Sequence, residues 1–165
     1  MKKLLLALAM ILPAAAFAQK FGCVDYDAVA QALPDYSKVM GELQAQQKQY
    51  ENDLKAMQDE LQRKAEEYEK AKSTMNATKQ QETEQSLMDM QAKIQQAYQD
   101  NGAALQKAQQ EKLQPIQAKV AKAVENVGNN GGYVYIVMKG SFPYISATQC
   151  TDVTEDCKKE ILKLK

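Results

Sequence analysis

Residues 40–75 read MGELQAQQKQYENDLKAMQDELQRKAEEYEKAKSTM, and this stretch decides the fold. A heptad seam runs through Met40, Leu43, Gln47, Tyr50, Leu54, Met57, Leu61, Lys64, Tyr68, Ala71 and Met75. Nine of these eleven positions are apolar, and the residues between them are mostly Gln, Lys and Glu. A narrow stripe sustained over five heptads is a coiled-coil seam rather than the wider face of a globular helix. Glu51/Lys55, Asp59/Arg63, Glu60/Lys64 and Glu66/Lys70 stand four apart in the favourable order, which supports an exposed helix. The pattern predicts one helix from about Asp35 to about Lys72.

Working outward, the seam breaks at Ser73-Thr74-Met75-Asn76-Ala77-Thr78, a run rich in capping residue types. Thr78 with Gln81 fits a capping box, and Asn76 competes as N-cap. A weaker seam follows through Leu87, Gln91, Ile94, Tyr98, Asn101, Leu105 and Ala108. It shifts near Lys112 and resumes at Leu113, Ile116, Val120, Val124 and Val127. Pro115 lies at the shift and predicts a bend, or hinge, in a helix that otherwise reaches about Val127. Gly128 is the expected stop. Two long helices with a short connection lie antiparallel. Residues 35–114 are therefore expected to form a projecting coiled-coil hairpin arm.

The flanks have another character. Phe21 to Asp25 is a strand candidate. Tyr133 to Met138 is a strong run of branched and aromatic residues, apolar on both faces. Lys139-Gly140-Ser141 reads as a turn, and Phe142 to Thr148 as a second strand with Pro143 near its start. Thr154 is the expected N-cap of a last helix, 155–164, with Cys157, Ile161 and Leu162 or Leu164 inward. Residues 19–34 and 115–165 then make a discontinuous β-rich body, so the fold class is mainly α with a small β body. That body is below the size at which a single core is comfortably stable. A homo-oligomer is the expected remedy, built through Phe21, Val24, Ile116, Val120, Tyr133, Tyr135 and Val137.

Composition narrows the chemistry. The 165 residues carry 21 Lys+Arg, 21 Asp+Glu and no His. Without His there is no His general base, no Ser-His-Asp or Cys-His pairing and no His-ligated zinc. Arg63 is the sole Arg, so bidentate anion clamps are scarce. No basic excess points to nucleic acid, and no basic patch recommends a membrane surface. Gly128-Asn129-Asn130-Gly131-Gly132 lacks a phosphate-loop pattern. The many carboxylates lie on solvated helix faces. No catalytic residue, metal site or cofactor is expected, and the chain is not read as an enzyme.

Lys2 and Lys3, the apolar run Leu4 to Leu12, and Ala16-Phe17-Ala18 have the form of a secretory signal peptide, residues 1–18, cleaved after Ala18. Cleavage leaves 19 basic and 21 acidic groups on an exported chain. Export permits disulfides. Of Cys23, Cys150 and Cys157, the last two are close enough in sequence to bridge; the alternative is three small buried hydrophobes. On the arm, Tyr50, Met57, Tyr68, Met75, Leu87, Met88 and Met90 form the candidate binding surface. Flexible Met side chains suit a surface that meets many partners.

Several segments resemble one family. Lys20-Phe21-Gly22-Cys23-Val24-Asp25 and Ala32-Leu33-Pro34-Asp35-Tyr36 are similar to the first strand and "LPEY" turn of the Skp/OmpH periplasmic chaperones. Leu113-Gln114-Pro115-Ile116 resembles that family's "L-x-P-I". Gly132 to Val137 and Thr151-Asp152-Val153-Thr154 resemble its "GYxYV" strand and "DIT" cap. The resemblance spans the chain after residue 18. It implies a homotrimer with helical tentacles around a cavity. It implies an ATP-independent holdase in the periplasm of a Gram-negative bacterium, whose partners are unfolded outer-membrane β-barrel proteins. The alternative is a periplasmic coiled-coil adaptor bridging folded envelope partners. One departure stands out. The family's best-known arms are strongly basic, whereas residues 35–114 here carry 11 basic and 14 acidic groups.

Overall fold

A computed structural model of the chain describes residues 19–164. The expected signal peptide, residues 1–18, lies outside the described residues. The elements in order are β1 (Lys20–Val24), α1 (Tyr26–Gln31), α2 (Pro34–Ala71), a 3₁₀ turn (Lys72–Thr74), α3 (Ala77–Gly131), β2 (Tyr133–Met138), β3 (Cys150–Asp152) and α4 (Thr154–Ile161). The chain is mainly α-helical, with a long helical hairpin and a small strand body. It divides into two compact units, Leu33–Ala118 and the residues up to Ala32 together with those from Lys119 onward.

The hairpin forms where the seam predicts it. Pro34 opens α2 at a position where an N–H would have no helical partner, so its missing donor costs nothing. With 38 residues, α2 is about 57 Å long. The turn is closed by Gln80, whose Nε2 donates to the carbonyls of Lys72 and Met75. Asn76, not Thr78, caps α3: its Oδ1 accepts from the Lys79 N–H at 2.9 Å. Thr78 already lies inside the helix, so the Thr78–Gln81 box has no place to form. The antiparallel helices are linked by the ion pair Lys112–Glu42 at 2.6 Å at one end and by Tyr68 donating to Glu84 at the other.

α3 runs through Pro115 without a break. The proline removes one donor, and the carbonyl it leaves belongs to Glu111, an exposed residue within reach of water. The helix also passes the expected stop at Gly128. A Cβ at Gly128 would stand 3.4 Å from Ile136 Cδ1, so that glycine serves the packing of α3 against β2. The left-handed residue that ends the helix is Gly132, with φ +67°.

The sheet has order β2-β1-β3 with both pairings parallel. Phe21 pairs with Tyr135 on one side and Cys150 on the other. Parallel β2 and β3 require the chain to return from the end of one to the start of the other. The expected strand Phe142–Thr148 is part of this return and has no strand pairing; Cys150–Asp152 forms the edge strand instead. Thr154 does not cap its own helix. Its hydroxyl donates to Asp152 Oδ1 at 2.6 Å and accepts from the Asp25 N–H at 2.9 Å, joining β3 to the end of β1. The short helix α1 escapes the heptad pattern. Asp25 caps it, accepting from the Ala28 N–H at 2.9 Å.

Val24, Val29, Val120, Ala123, Val153, Cys157 and Ile161 make the buried core of the body. Leu162 is 60% exposed, so of the two leucines considered for the inward face it is Leu164 that is partly covered. The three cysteines are free, and the Cys150–Cys157 bridge is not formed. No helix among the described residues is long and apolar enough to cross a membrane.

Candidate functional site

The seam of the hairpin sorts the expected binding residues. Along α2 and the turn after it the inward row is Leu43, Gln46, Tyr50, Leu54, Met57, Leu61, Lys64, Tyr68, Ala71 and Met75, with Gln46 in place of Gln47 and Met40 exposed. Gln46 Nε2 donates to the Tyr50 hydroxyl at 2.8 Å. On α3 the half-buried row keeps strict heptad spacing: Gln80, Leu87, Ile94, Asn101 and Ala108, alternating with Thr83, Met90, Ala97 and Ala104. Met90 and Ala97 therefore take the places expected for Gln91 and Tyr98. Tyr98 falls one position outside the seam and is 71% exposed. Met88, two residues from Met90, points outward at 56% exposure.

Two clefts collect most of the candidates. Tyr68, Met75 and Leu87 share a cleft of about 390 Å³ near the turn, rimmed by Lys64, Glu67, Lys79 and Glu82. Met57 and Met90 share a second, of about 430 Å³, with Ile94 beside them and Glu60, Lys64 and Lys93 at the rim. Tyr50 and Met88 line neither cleft. Tyr68 is the buried member of the set. Its hydroxyl donates to Glu84, and Lys72 Nζ stands 5.1 Å from its ring centre. The hydrogen bond to Glu84 holds the phenol above its ordinary pKa and the carboxyl below its own. A third opening, about 660 Å³, lies at the other end of the hairpin between Met40, Gly41 and Leu43 of α2 and Leu105 of α3.

The charges around these clefts are largely matched within the hairpin. Lys55 pairs with Asp59 rather than with Glu51, and Arg63 with Glu60 and Glu67 rather than with Asp59. Glu51 and Glu66 accept instead from Gln47 and Gln62 one turn earlier. Lys64, Lys72, Lys79, Lys107 and Lys112 also lie within 4.0 Å of a carboxylate. The result is clefts that combine apolar members with a rim of largely paired charge.

The body presents a different surface. Phe21 and Tyr135 stack at 6.4 Å between ring centres. With Gly22, Val137, Phe142, Tyr144, Ile145 and Cys150 they line an almost wholly apolar cleft of about 420 Å³. Tyr135 is 65% and Tyr144 80% exposed. Val24, Ile116 and Val120, expected at an oligomer interface, are buried within the chain itself, and Tyr133 is half-buried beneath Lys20. Phe142 and Tyr144 carry the missed part of this surface. Their signal was an aromatic pair around Pro143 in the segment read as a strand. Pro115 is exposed on the continuous α3.

The family described as Outer membrane protein (OmpH-like) matches residues 20–161 of the chain. Chaperone protein Skp of Yersinia enterocolitica is 28% identical over 160 residues, 94% of both proteins. Chaperone protein Skp of Pectobacterium atrosepticum is 28% identical over 170 residues, 98% of this chain and 99% of the relative.

Proposed function

The chain belongs to the OmpH-like family, and from that premise we propose that it is a chaperone rather than an enzyme, an ATP-independent holdase of the Gram-negative periplasm. It binds unfolded outer-membrane β-barrel proteins and keeps them from aggregating in transit. The observation that carries this is the end-to-end similarity to two proteins named Chaperone protein Skp. The signal-peptide pattern at residues 1–18 supports the compartment.

Met57 and Met90 in one cleft, Met75 and Leu87 in the other, and the outward Met88 with Tyr50 make the client contacts. Each is a weak contact between an adaptable side chain and an exposed apolar segment. Weak contacts spread along the hairpin release without ATP. Tyr68, already engaged with Glu84, holds the two helices in register beneath those contacts. The protein works as a homotrimer, and the exposed Phe21/Tyr135/Tyr144 face is the apolar surface that self-association covers. With 11 basic against 14 acidic groups over residues 35–114, apolar contact carries the grip more than a positive field.

The test is light scattering as an unfolded β-barrel protein is diluted from denaturant with and without this chain. The expected result is suppression at chaperone-to-client ratios set by a trimer, with the same effect on several clients. Equal scattering with and without the chain would sink the holdase. Stoichiometric capture of a single folded partner would favour an adaptor. Native mass measurement checks the trimer independently.

A further inference from the structure

Cys150 and Cys157 are close enough along the chain to bridge. The sheet puts a different pair together. In the parallel register, Phe21 pairs with Cys150 and Cys23 with Asp152. Paired residues on parallel strands share a face, and residues two apart on one strand share it too. Phe21, Cys23 and Cys150 therefore lie on the same face, with the two cysteines diagonal to one another across adjacent strands. Burial first, and then the neighbouring Cys150, hold the Cys23 thiol above its ordinary pKa. Cys157 is elsewhere. It is fully buried on α4, and the charged groups that act on it are Asp156, Asp152 and Glu160, not a second thiol.

The two members of the pair also differ in access. Cys23 is buried on the central strand, while Cys150 is partly exposed and lines the open cleft with Phe21, Tyr135 and Tyr144. We propose that Cys23 and Cys150 are a redox pair that closes to an intrachain disulfide, with Cys150 as the entry thiol and Cys157 remaining reduced. Diagonal neighbours sit somewhat farther apart than a disulfide prefers. β3 is the element that closes the gap, because it has three residues and is paired on one side only.

The oxidant is a disulfide compound, and the exchange balances as follows. The Cys150 thiolate attacks one oxidant sulfur, forming a mixed disulfide; the first oxidant thiolate leaves and takes up the proton Cys150 gave up. The Cys23 thiolate then attacks Cys150 Sγ. The Cys23–Cys150 bond forms, and the second oxidant thiolate leaves and takes up the proton from Cys23. Two electrons pass to the oxidant, which ends as two thiols. The new bond ties the first strand of the body to the last and encloses the whole helical hairpin in one covalent loop. Body stability thereby becomes dependent on the redox state around the protein.

The experiment treats the full chain from Gln19 with glutathione disulfide, unfolds it in denaturant so that every remaining free thiol is blocked by iodoacetamide, and digests with trypsin and an endoproteinase cutting after Glu. The second cut, after Glu155, separates Cys150 from Cys157. The expected product links the peptide 21–38 to the peptide 140–155, with Cys157 alkylated. The link should survive Cys157→Ser and vanish in Cys150→Ser. The oxidised chain should melt on the order of 10 °C above its reduced form, in the wild type and in Cys157→Ser alike. A Cys150–Cys157 link, a Cys150–Cys150 link between chains, or alkylation of both Cys23 and Cys150 at every oxidant ratio would overturn the assignment. So would a mapped link with no rise in melting temperature, since the bond would then lie outside the native sheet.

Discussion

Leu43→Ala tests what holds the hairpin together at the end away from its turn. Leu43 is 7% exposed, the one aliphatic side chain of α2 that is buried. It borders the opening of about 660 Å³ that also contains Met40 and Leu105. A buried Leu→Ala change costs about 2–5 kcal/mol, the upper values coming from sites that keep a dry void. Here the void would join an existing open cleft and fill with water. That leaves mainly the transfer term of the three lost carbons, about 2 kcal/mol at roughly 0.8 kcal/mol each. A local opening equilibrium should then shift about 30-fold, since 1.4 kcal/mol is tenfold. Hydrogen exchange read by mass spectrometry is the assay. Amides around residues 40–47 and 105–112 should exchange about 30-fold faster, while those of β1 should not change. Glu42→Gln, which removes the neighbouring ion pair with Lys112, serves as control. Both partners are substantially exposed, so its effect should be much smaller. A change below about threefold in Leu43→Ala, or an equal acceleration in β1, would refute the assignment of local stability to this packing.

Gly22→Ala should destabilise the body by about 1–3 kcal/mol, read as a lower denaturation midpoint. Its Cβ would meet Ile136 Cγ1 at 3.0 Å and the Tyr133 ring at 3.2 Å in the middle strand of the sheet. Asp152 is held down to about 2 from an ordinary 3.8, first by its hydrogen bond from Lys139 and then by those from Thr154. A depressed carboxyl contributes stability that is complete above its unfolded pKa and is lost as pH falls through the folded one. Body melting temperature should therefore drop between about pH 4 and pH 2, and Asp152→Asn should flatten that limb in scans over the same range. Burial first, then the charge of Asp156, pushes the Cys157 thiol up to about 11. At pH 8 its alkylation should be at least about 100-fold slower than that of an ordinary exposed thiol, followed by mass spectrometry of the 156–158 peptide. Half-maximal suppression of client aggregation should move less than about twofold between 0.05 and 0.5 M NaCl. A tenfold loss would mean that a charged field does the holding after all.

The hairpin was legible because its information is local and repeated. Leu43, Tyr50, Met57 and their successors recur at a spacing that only a helix with a helical partner can use, and neighbouring residues along one chain suffice to state it. The lack of His and the balance of charge were likewise complete in the composition. The exact lateral position of α3 was not. Gln91 or Met90, Tyr98 or Ala97, differ by a rotation of one residue, and the contact with α2 chose Met90 and Ala97. Of the candidate binding residues, the sequence identified their types and their helices. Only the packing showed that Met57 and Met90 share a cleft, that Met88 stands apart, and that Tyr68 is committed to Glu84.

In the body the balance reverses. Tyr133–Met138 announced itself as a strand through its own branched and aromatic residues. Phe142–Thr148 looked nearly as good and lost, because strand structure needs a free edge to pair with. Parallel topology made that segment a return path and gave the edge of β1 to Cys150–Asp152. Gly128 looked like a helix stop and became a packing surface for Ile136, so the left-handed turn fell to Gly132. Thr154 looked like a cap and instead links Asp152 to the backbone of Asp25, 129 positions away. The same holds for the thiols: proximity along the chain left a Cys150–Cys157 bridge open beside three separate thiols, and the sheet set Cys23 diagonal to Cys150. Periodicity and composition alone were enough for the two long helices, their antiparallel pairing and the absence of histidine chemistry. Tertiary structure decided the strand order, the helix ends and the partners of the polar and thiol groups, since each depends on which distant residue occupies the neighbouring space.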